Sequence, residues 1–407
     1  GIFETCDPAI VVCSSLDTTA DSGNRPRVAA SDLRRVGHSR LEAPWQGRAN
    51  DPAVIIWTSG STGPPKGAWF DHAGLAAAVH SSGVLGGRRE RRLFSTPFAH
   101  AGYMAKVWEQ LVSGATLVLS PQPWSAQGMA RMLRDESIAL AGGVPTMWAK
   151  LLELPERDLG RLDDLRVGVS ATAPASPELV EAVAGRLGAP LVVRYAMSES
   201  PSITGTEPGD SPAVPWSSGG RPQGGIRLRI ADEEGNELCP GHVGEVQVRG
   251  PGVMRGYWRD EQQTSAAFLH GWLRTGDLGC LREDGNLVLV GRMKELYIRG
   301  GYNVYPLEVE NVLSRHPGVA QVAVVGVPTA VIGEIGHAFV VPTDPLYPPG
   351  RDELRNFVKS ALADYKAPDE VEVVDQLPLN QLLKVDKPAL AARARSGLVT
   401  HEGVGHP

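Results

Sequence analysis

The chain opens with polar, irregular sequence in which a single apolar run, Ala9–Cys13 (AIVVC), reads as a strand. A second run, Ala53–Trp57 (AVIIW), is continuously apolar and rich in β-branched residues, the composition of a buried strand. Small, hydroxyl-bearing and flexible residues follow it from Thr58 to Gly63, and Pro64 and Pro65 keep that loop from running straight into a helix. His72–Gly83 is alanine-rich and helical. From Arg92 to about Ser200, strand-like apolar runs alternate with helical ones. Gly114 stops one of these helices, and Ser176 caps another just before Pro177. Repeated strand–helix units predict parallel sheets covered by helices.

After about Ser200 the pattern changes. Between Gly219 and Val290, short alternating runs are separated by the turn signals DEEGNE, CPGHVGE and EDGN, which predicts antiparallel, hairpin-rich structure. Beyond Gly291–Glu295 (GRMKE) comes a compact α+β unit with strand-like QVAVVGV and HAFVV and helix-like ELRNFVKSAL. The fold class is therefore α/β, a large N-terminal domain over 1–292 and a small α+β domain over 293–407, with the boundary at Met293–Lys294. Residues from about Ser396 to Pro407 read as a frayed end.

Length and composition narrow the function. At 407 residues the chain suggests two or three structural units, and 42% hydrophobic with 21% charged residues is the balance of a soluble globular protein. A net charge of −6 with no basic run offers no footprint for nucleic acid. Cys6, Cys13, Cys239 and Cys280 are too scattered for a disulfide framework, and no CxxC pair suggests zinc, so reduced thiols and a cytoplasmic location are the default. No apolar stretch approaches a membrane span, and the start does not read as a signal peptide. Oligomeric state stays open.

The chemistry is concentrated in a few segments. The loop Thr58-Ser59-Gly60-Ser61-Thr62-Gly63 with Lys66 (TSGSTGPPKG) can turn backbone N–H groups and hydroxyls toward an anion, with the lysine as a further cation. A lone glycine-rich loop is more often a flexible surface turn, whereas a strand feeding TSGSTGxPKG is far more specific. Downstream, in order, stand SATAPASPEL (170–179), YAMSES (195–200), GWLRTGDLG (271–279), GRMKELYIRGGYNVYPLEVE (291–310) and PLNQLLKVDK (378–387). Together these resemble the superfamily of acyl-CoA synthetases, adenylation domains and beetle luciferases, closest in motifs to acyl- or aryl-CoA ligases. The resemblance runs from about Asp51 to about Leu390.

That resemblance implies a small barrel-like portion at about 205–292 and a mobile lid over 293–407. It also implies a substantial segment before the phosphate loop, so that the N-terminal part of the large domain, on the order of a hundred residues, is expected to be missing from this sequence. It places Thr172, Ala173 and Pro174 along the adenine pocket, Tyr195 against the base and Ser198 toward phosphate. Glu199 would be a catalytic carboxylate and ligand for Mg²⁺. Asp277 would accept from the ribose hydroxyls with Arg292 beside it, and Lys384 would be the catalytic lysine. Lys294 takes the hinge position, and Gly300 and Gly301 line the path of the CoA thiol. PFAHAGYM (97–104) and GGVPTMW (142–148) supply the acyl pocket through His100, Met104 and Val144. Counting back from Trp108-Glu109, Met104 stands where amino-acid-activating relatives carry an aspartate. A thioether cannot neutralise a buried ammonium, so an α-amino acid is disfavoured as substrate.

The implied function is an ATP-dependent acid–CoA ligase that uses ATP, Mg²⁺ and CoA. Loading of a carrier protein or formation of an amide stays open. So does a nucleotide-binding pseudoenzyme, because Ala171, Ala196 and Leu383 replace glycines of the family pattern. The acid itself, aliphatic or aromatic, is not read from the sequence.

Overall fold

The computed structural model describes residues 11–13, 27–29, 47–58, 64–80, 82–95, 101–121, 123–172, 175–210, 218–329, 331–380 and 384–402. The architecture is mixed α/β, a large N-terminal sheet domain followed by a smaller C-terminal domain. Among the described residues the largest sheet has 12 strands. Thr116–Leu119, Arg91–Phe94, Leu140–Gly143, Val167–Ala171 and Leu191–Met197 lie in that spatial order, all parallel. Helical crossovers are what parallel neighbours demand, and the helices Ala126–Asp135, Pro145–Leu152 and Pro177–Leu187 provide them. Ser176 caps the last of these, its Oγ accepting from the Leu179 N–H at 3.2 Å.

The helices pack on the sheet through a core that holds Trp148, Met129, Leu133, Leu151 and Val183, each 2% exposed or less. Trp148 donates its indole N–H to the Val169 carbonyl at 3.1 Å, so the largest of these side chains is buried without an orphaned donor. Gly168 lies beneath it, where an added Cβ would come within 2.9 Å of the indole ring. Only a glycine allows that approach.

At Leu191–Met197 the sheet changes character. This strand turns directly into the antiparallel strand Ser200–Gly205, and the hydrogen-bonded path continues through Ser218–Pro222, Leu287–Arg292, Trp272–Leu281, Gly244–Arg249 and Arg227–Ala231. The antiparallel portion thus adjoins the parallel one by hydrogen bonds. A separate three-stranded sheet joins Pro52–Thr58, Lys66–Asp71 and Gly256–Tyr257. After Arg292 a five-stranded sheet forms from Tyr302–Val304, Tyr297–Arg299, Gly333–Pro342, Val319–Thr329 and Glu370–Val373. The helices Pro306–Leu313 and Arg351–Ala361 cover it with Val309, Leu313, Leu354 and Val358, none more than 0% exposed.

Two expectations are corrected. The end expected to fray from Ser396, of which 403–407 lie outside the described residues, instead continues the helix Lys387–Glu402. Its PALAARAR run is rich in strong helix formers and carries Pro388 in the first turn, where a missing N–H costs nothing. Secondly, the sheet edge that the hydrophobic run PLVVRY (190–195) suggests for Tyr195–Ser200 is not found, since its strand has neighbours on both sides. The segment is open because it is the end of a strand and the turn of a hairpin, inside a wide sheet.

Candidate active site

Strand register brings the first cluster together. Asp277 and Arg292 are direct cross-strand partners on Trp272–Leu281 and Leu287–Arg292, so residues far apart in sequence face each other. Arg292 Nε lies 3.1 Å from Asp277 Oδ1, while Tyr195 donates its hydroxyl to Asp277 Oδ2 at 2.6 Å. Asp277 is 8% exposed. Burial pushes its carboxyl above the usual carboxylate range, and the Arg292 cation and the Tyr195 hydroxyl oppose that push. The Tyr195 phenol is raised well above its ordinary value, by burial first and the Asp277 charge second. Each carboxylate oxygen has one partner here, and a carboxylate accepts about four hydrogen bonds, so capacity for two further hydroxyls remains.

Lys384, in the C-terminal domain, lies close enough to Arg292 for the two cations to repel. It sits in a tight loop closed by a bridge between Leu379 and Val385. Its N–H donates to Asn380 Oδ1 at 3.1 Å, and its carbonyl accepts the Asn380 N–H at 2.8 Å. Burial lowers the pKa of its ammonium, and the nearby Arg292 cation lowers it further. Arg292 beside Asp277 and the Lys384 ammonium are thus two cations within range of one another, a demand that a polyanion would satisfy.

The second cluster lies around Glu199, in the turn after Leu191–Met197. Glu199 is 9% exposed, and Tyr257 donates its hydroxyl to Glu199 Oε1 at 2.8 Å. Lys66, the first residue of the strand Lys66–Asp71, lies 5.2 Å from the Tyr257 ring centroid and donates to Gln263 Oε1 at 2.6 Å. Its ammonium is thus held in place rather than swinging freely. Thr58 ends the preceding strand and donates its hydroxyl to the Lys66 carbonyl at 3.3 Å. Burial and the Glu199 charge raise the Tyr257 phenol, which keeps it a donor toward that carboxylate. Among the described residues Glu199 Oε2 has no such tether. One buried carboxylate with a free oxygen fits Mg²⁺, which takes one or two protein carboxylates and completes its shell with substrate phosphates and water.

Tyr257 was not singled out in the sequence, although it stands in the GYW of VMRGYW. We expect Tyr257→Phe to raise the Mg²⁺ concentration needed for half-maximal pyrophosphate exchange by about fivefold, one lost hydrogen bond to a charged group. A titration curve that superimposes on the wild type would leave Tyr257 with a packing role only.

Ser59, Gly60, Ser61, Thr62, Gly63, His100, Ala173 and Pro174 lie outside the described residues. Ser198 shares the turn with Glu199. Thr172 has φ of 76°, a left-handed conformation costly for a β-branched residue, and its buried hydroxyl has no partner among the described residues. A glycine would take that conformation without the cost. Met104 ends the helix Ala101–Met104 and packs on the cluster containing Phe70 and Ile203. Val144, 4% exposed, precedes the helix Pro145–Leu152. Lys294 is exposed in the turn after Arg292, and Gly300 and Gly301, with φ of 55° and 86°, form an open turn between two short strands. Cys239 and Cys280 are free thiols. Among the described residues no helix is long and apolar enough to cross a membrane.

A further residue, Lys387, escaped the sequence reading. Its ammonium lies 2.7 Å from Glu295 Oε2 and 2.9 Å from Glu310 Oε1. It thereby fastens the base of the Lys384 loop to the segment just after Lys294.

Residues 4–258 match the family model described as AMP-binding enzyme, and residues 308–384 match the AMP-binding enzyme C-terminal domain. The chain belongs to the AMP-binding enzyme family. It is 35% identical to a 2-succinylbenzoate–CoA ligase of Bacillus licheniformis, over 81% of this chain and 68% of that protein. An amide bond synthetase, McbA of Marinactinospora thermotolerans, superposes with a TM-score of 0.85 at 32% identity, covering 96% of this chain and 81% of that one. An o-succinylbenzoate CoA synthetase of Bacillus subtilis, solved with ATP and magnesium ion, gives 0.79 at 29% identity over 94% and 79%. The expected class, an AMP-forming acid–thiol ligase using ATP, Mg²⁺ and CoA, agrees with these AMP-binding relatives.

Proposed function

We propose that this protein is an ATP-dependent carboxylic acid–CoA ligase working in two steps. A carboxylate oxygen attacks the α-phosphorus of ATP, the bond to the bridging oxygen breaks, and pyrophosphate leaves. The thiol of CoA then loses its proton and attacks the acyl carbon, and AMP departs with the bond electrons. The observation that supports the reading is the Tyr195–Asp277–Arg292 cluster, with the Lys384 cation of the second domain close enough to Arg292 to be repelled by it. In it Asp277 accepts from the ribose hydroxyls, and the Tyr195 ring, held by its own hydroxyl, faces the base. Arg292 and Lys384 balance negative charge as it builds on the α-phosphate and the attacking carboxylate. Glu199 would hold the Mg²⁺ that shields the phosphates. Lys294 is the hinge about which the lid turns, exposing Gly300 and Gly301 to the pantetheine arm.

Pyrophosphate exchange into ATP with a panel of acids tests the first step, and mass analysis of the product with CoA tests the second. Absence of exchange with every acid would favour a pseudoenzyme. A second reading, transfer to an amine or a carrier protein, draws on the likeness to the amide bond synthetase. A product of unchanged CoA and a new amide or acyl carrier would favour it.

Met104 would form part of the acyl wall. Met104→Trp is expected to lower kcat/KM for bulky acids about tenfold relative to small ones, the scale of a few lost or clashing methylenes. Unchanged selectivity would remove Met104 from the pocket.

A further inference from the structure

The strand Trp272–Leu281 is interrupted just before Asp277. Along the neighbouring strand Gly244–Arg249, Gln247 pairs with Arg274 and Glu245 with Leu278, so that Thr275, Gly276 and Asp277 stand opposite Val246 alone. Such a bulge bends a strand and re-aims its side chains. Gly276, with φ of 72°, takes the left-handed turn within it. We infer that Glu245 is a positioning residue for nucleotide binding: its carboxylate holds this bulge, and through it the Asp277 carboxylate, where the ribose hydroxyls are received. The inference rests on the ligase reading above, in which Asp277 accepts from the ribose.

Side chains stand in for the regular ladder at this bulge. Glu245 Oε1 accepts the Gly276 N–H at 3.3 Å. Thr275 donates its hydroxyl to the Val246 carbonyl at 2.7 Å and accepts the Asp277 N–H at 3.1 Å. The Gly276 carbonyl accepts the Met293 N–H at 2.9 Å, which ties the bulge to the residue after Arg292. Glu245 is itself buried and fixed: its Oε2 lies 2.7 Å from Arg274 Nε and accepts from Gln247 Nε2 at 3.3 Å. The fully buried Gln247 is held in turn by Arg229, whose Nη2 and Nε donate to its Oε1 at 2.7 and 3.0 Å. A carboxylate so buried and so partnered is confined to one orientation, and the backbone N–H it grips belongs to the residue before Asp277. Tyr195 and Arg292 hold Asp277 by its side chain, whereas Glu245 holds the backbone that leads into it.

The test separates ribose recognition from stability. Equilibrium binding compares MgATP with its 2′-deoxy and 3′-deoxy forms on the wild type, Glu245→Met and Glu245→Gln. The wild type is expected to favour ATP by about tenfold or more, the scale of one hydrogen bond to a charged acceptor. Glu245→Met removes the support of the bulge, so that ratio should shrink to about twofold while affinity for the deoxy forms stays near the wild-type value. Glu245→Gln keeps an oxygen for the Gly276 N–H and loses the charge. It should be less stable yet keep the ratio, with the partly exposed Arg274 turning to water. Should Glu245→Met not fold, adding Arg274→Leu leaves no charge unpaired, and the double variant is read in the same way. A wild-type ratio in folded Glu245→Met or in the double variant, or a loss in Glu245→Gln as large as in Glu245→Met, would overturn the inference. A wild type that binds the deoxy forms as well as ATP, or binds none of them, removes the ribose role of Asp277 and this inference with it. Failure of the ligase reading alone looks different: no pyrophosphate exchange with any acid, and the ATP preference and its dependence on Glu245 unchanged.

Discussion

Lys384→Ala is expected to lower pyrophosphate exchange by about a hundredfold to a thousandfold, the scale set by removing one preorganised donor from a developing oxyanion. Thiolation of acyl-adenylate supplied from outside should keep most of its rate. The asymmetry follows from where the charge builds. In the first step the α-phosphate and the incoming carboxylate share a growing negative charge beside Lys384 and Arg292, and in the second that phosphate is a leaving group already bound by the large domain. The protonation state gives a further check. Burial and the Arg292 cation lower the Lys384 pKa, so the charged form is present below that value and is lost as pH rises through it. kcat/KM for adenylation should therefore fall on the alkaline side earlier than a solvated lysine would dictate. Lys384→Arg, which remains charged throughout, should remove that limb. Equal loss of both half-reactions in Lys384→Ala would mark the lysine as structural.

How much of this could be read beforehand depended on the distance over which each signal acts. The strand before Thr58, the capped helix at Ser176 and the parallel strand–helix units are local patterns, and the hydrophobic period reveals them. Asp277 and Arg292 could each be named from their motifs, but their contact depends on register between two strands, which a linear reading does not contain. Glu199 was recognised, whereas its partner Tyr257 was not, because the hydrogen bond joins separate sheets. The motif also concealed a second role for Tyr195. An aromatic ring suggested stacking, and its hydroxyl proves to be the group that orients Asp277.

Lys387 is the strongest instance of such hidden information, and its replacement should have a large effect on stability. Lys387→Met leaves Glu295 and Glu310 facing one another without their shared cation. Glu310 cannot simply turn away, since its Oε1 also accepts the Val324 N–H at 2.8 Å and so ties the helix Pro306–Leu313 to the strand Val319–Thr329. Breaking a buried pair costs about 3–5 kcal/mol. With the Lys387 side chain 25% exposed and Glu295 34% exposed, solvent screening reduces this to about 2–3 kcal/mol. Denaturant unfolding should register that loss, and Lys387→Arg should restore most of it. Adding Glu310→Gln to Lys387→Met should also recover stability, because the repulsion disappears while the amide oxygen still accepts from Val324. A functional consequence follows from position, since Lys387 joins the Lys384 loop to the residue after Lys294. Pyrophosphate exchange should drop in Lys387→Met under conditions where the protein remains folded, and thiolation of supplied adenylate should drop less. Wild-type stability together with wild-type exchange would show that the two carboxylates find water or another cation, and that the loop keeps its place without this anchor.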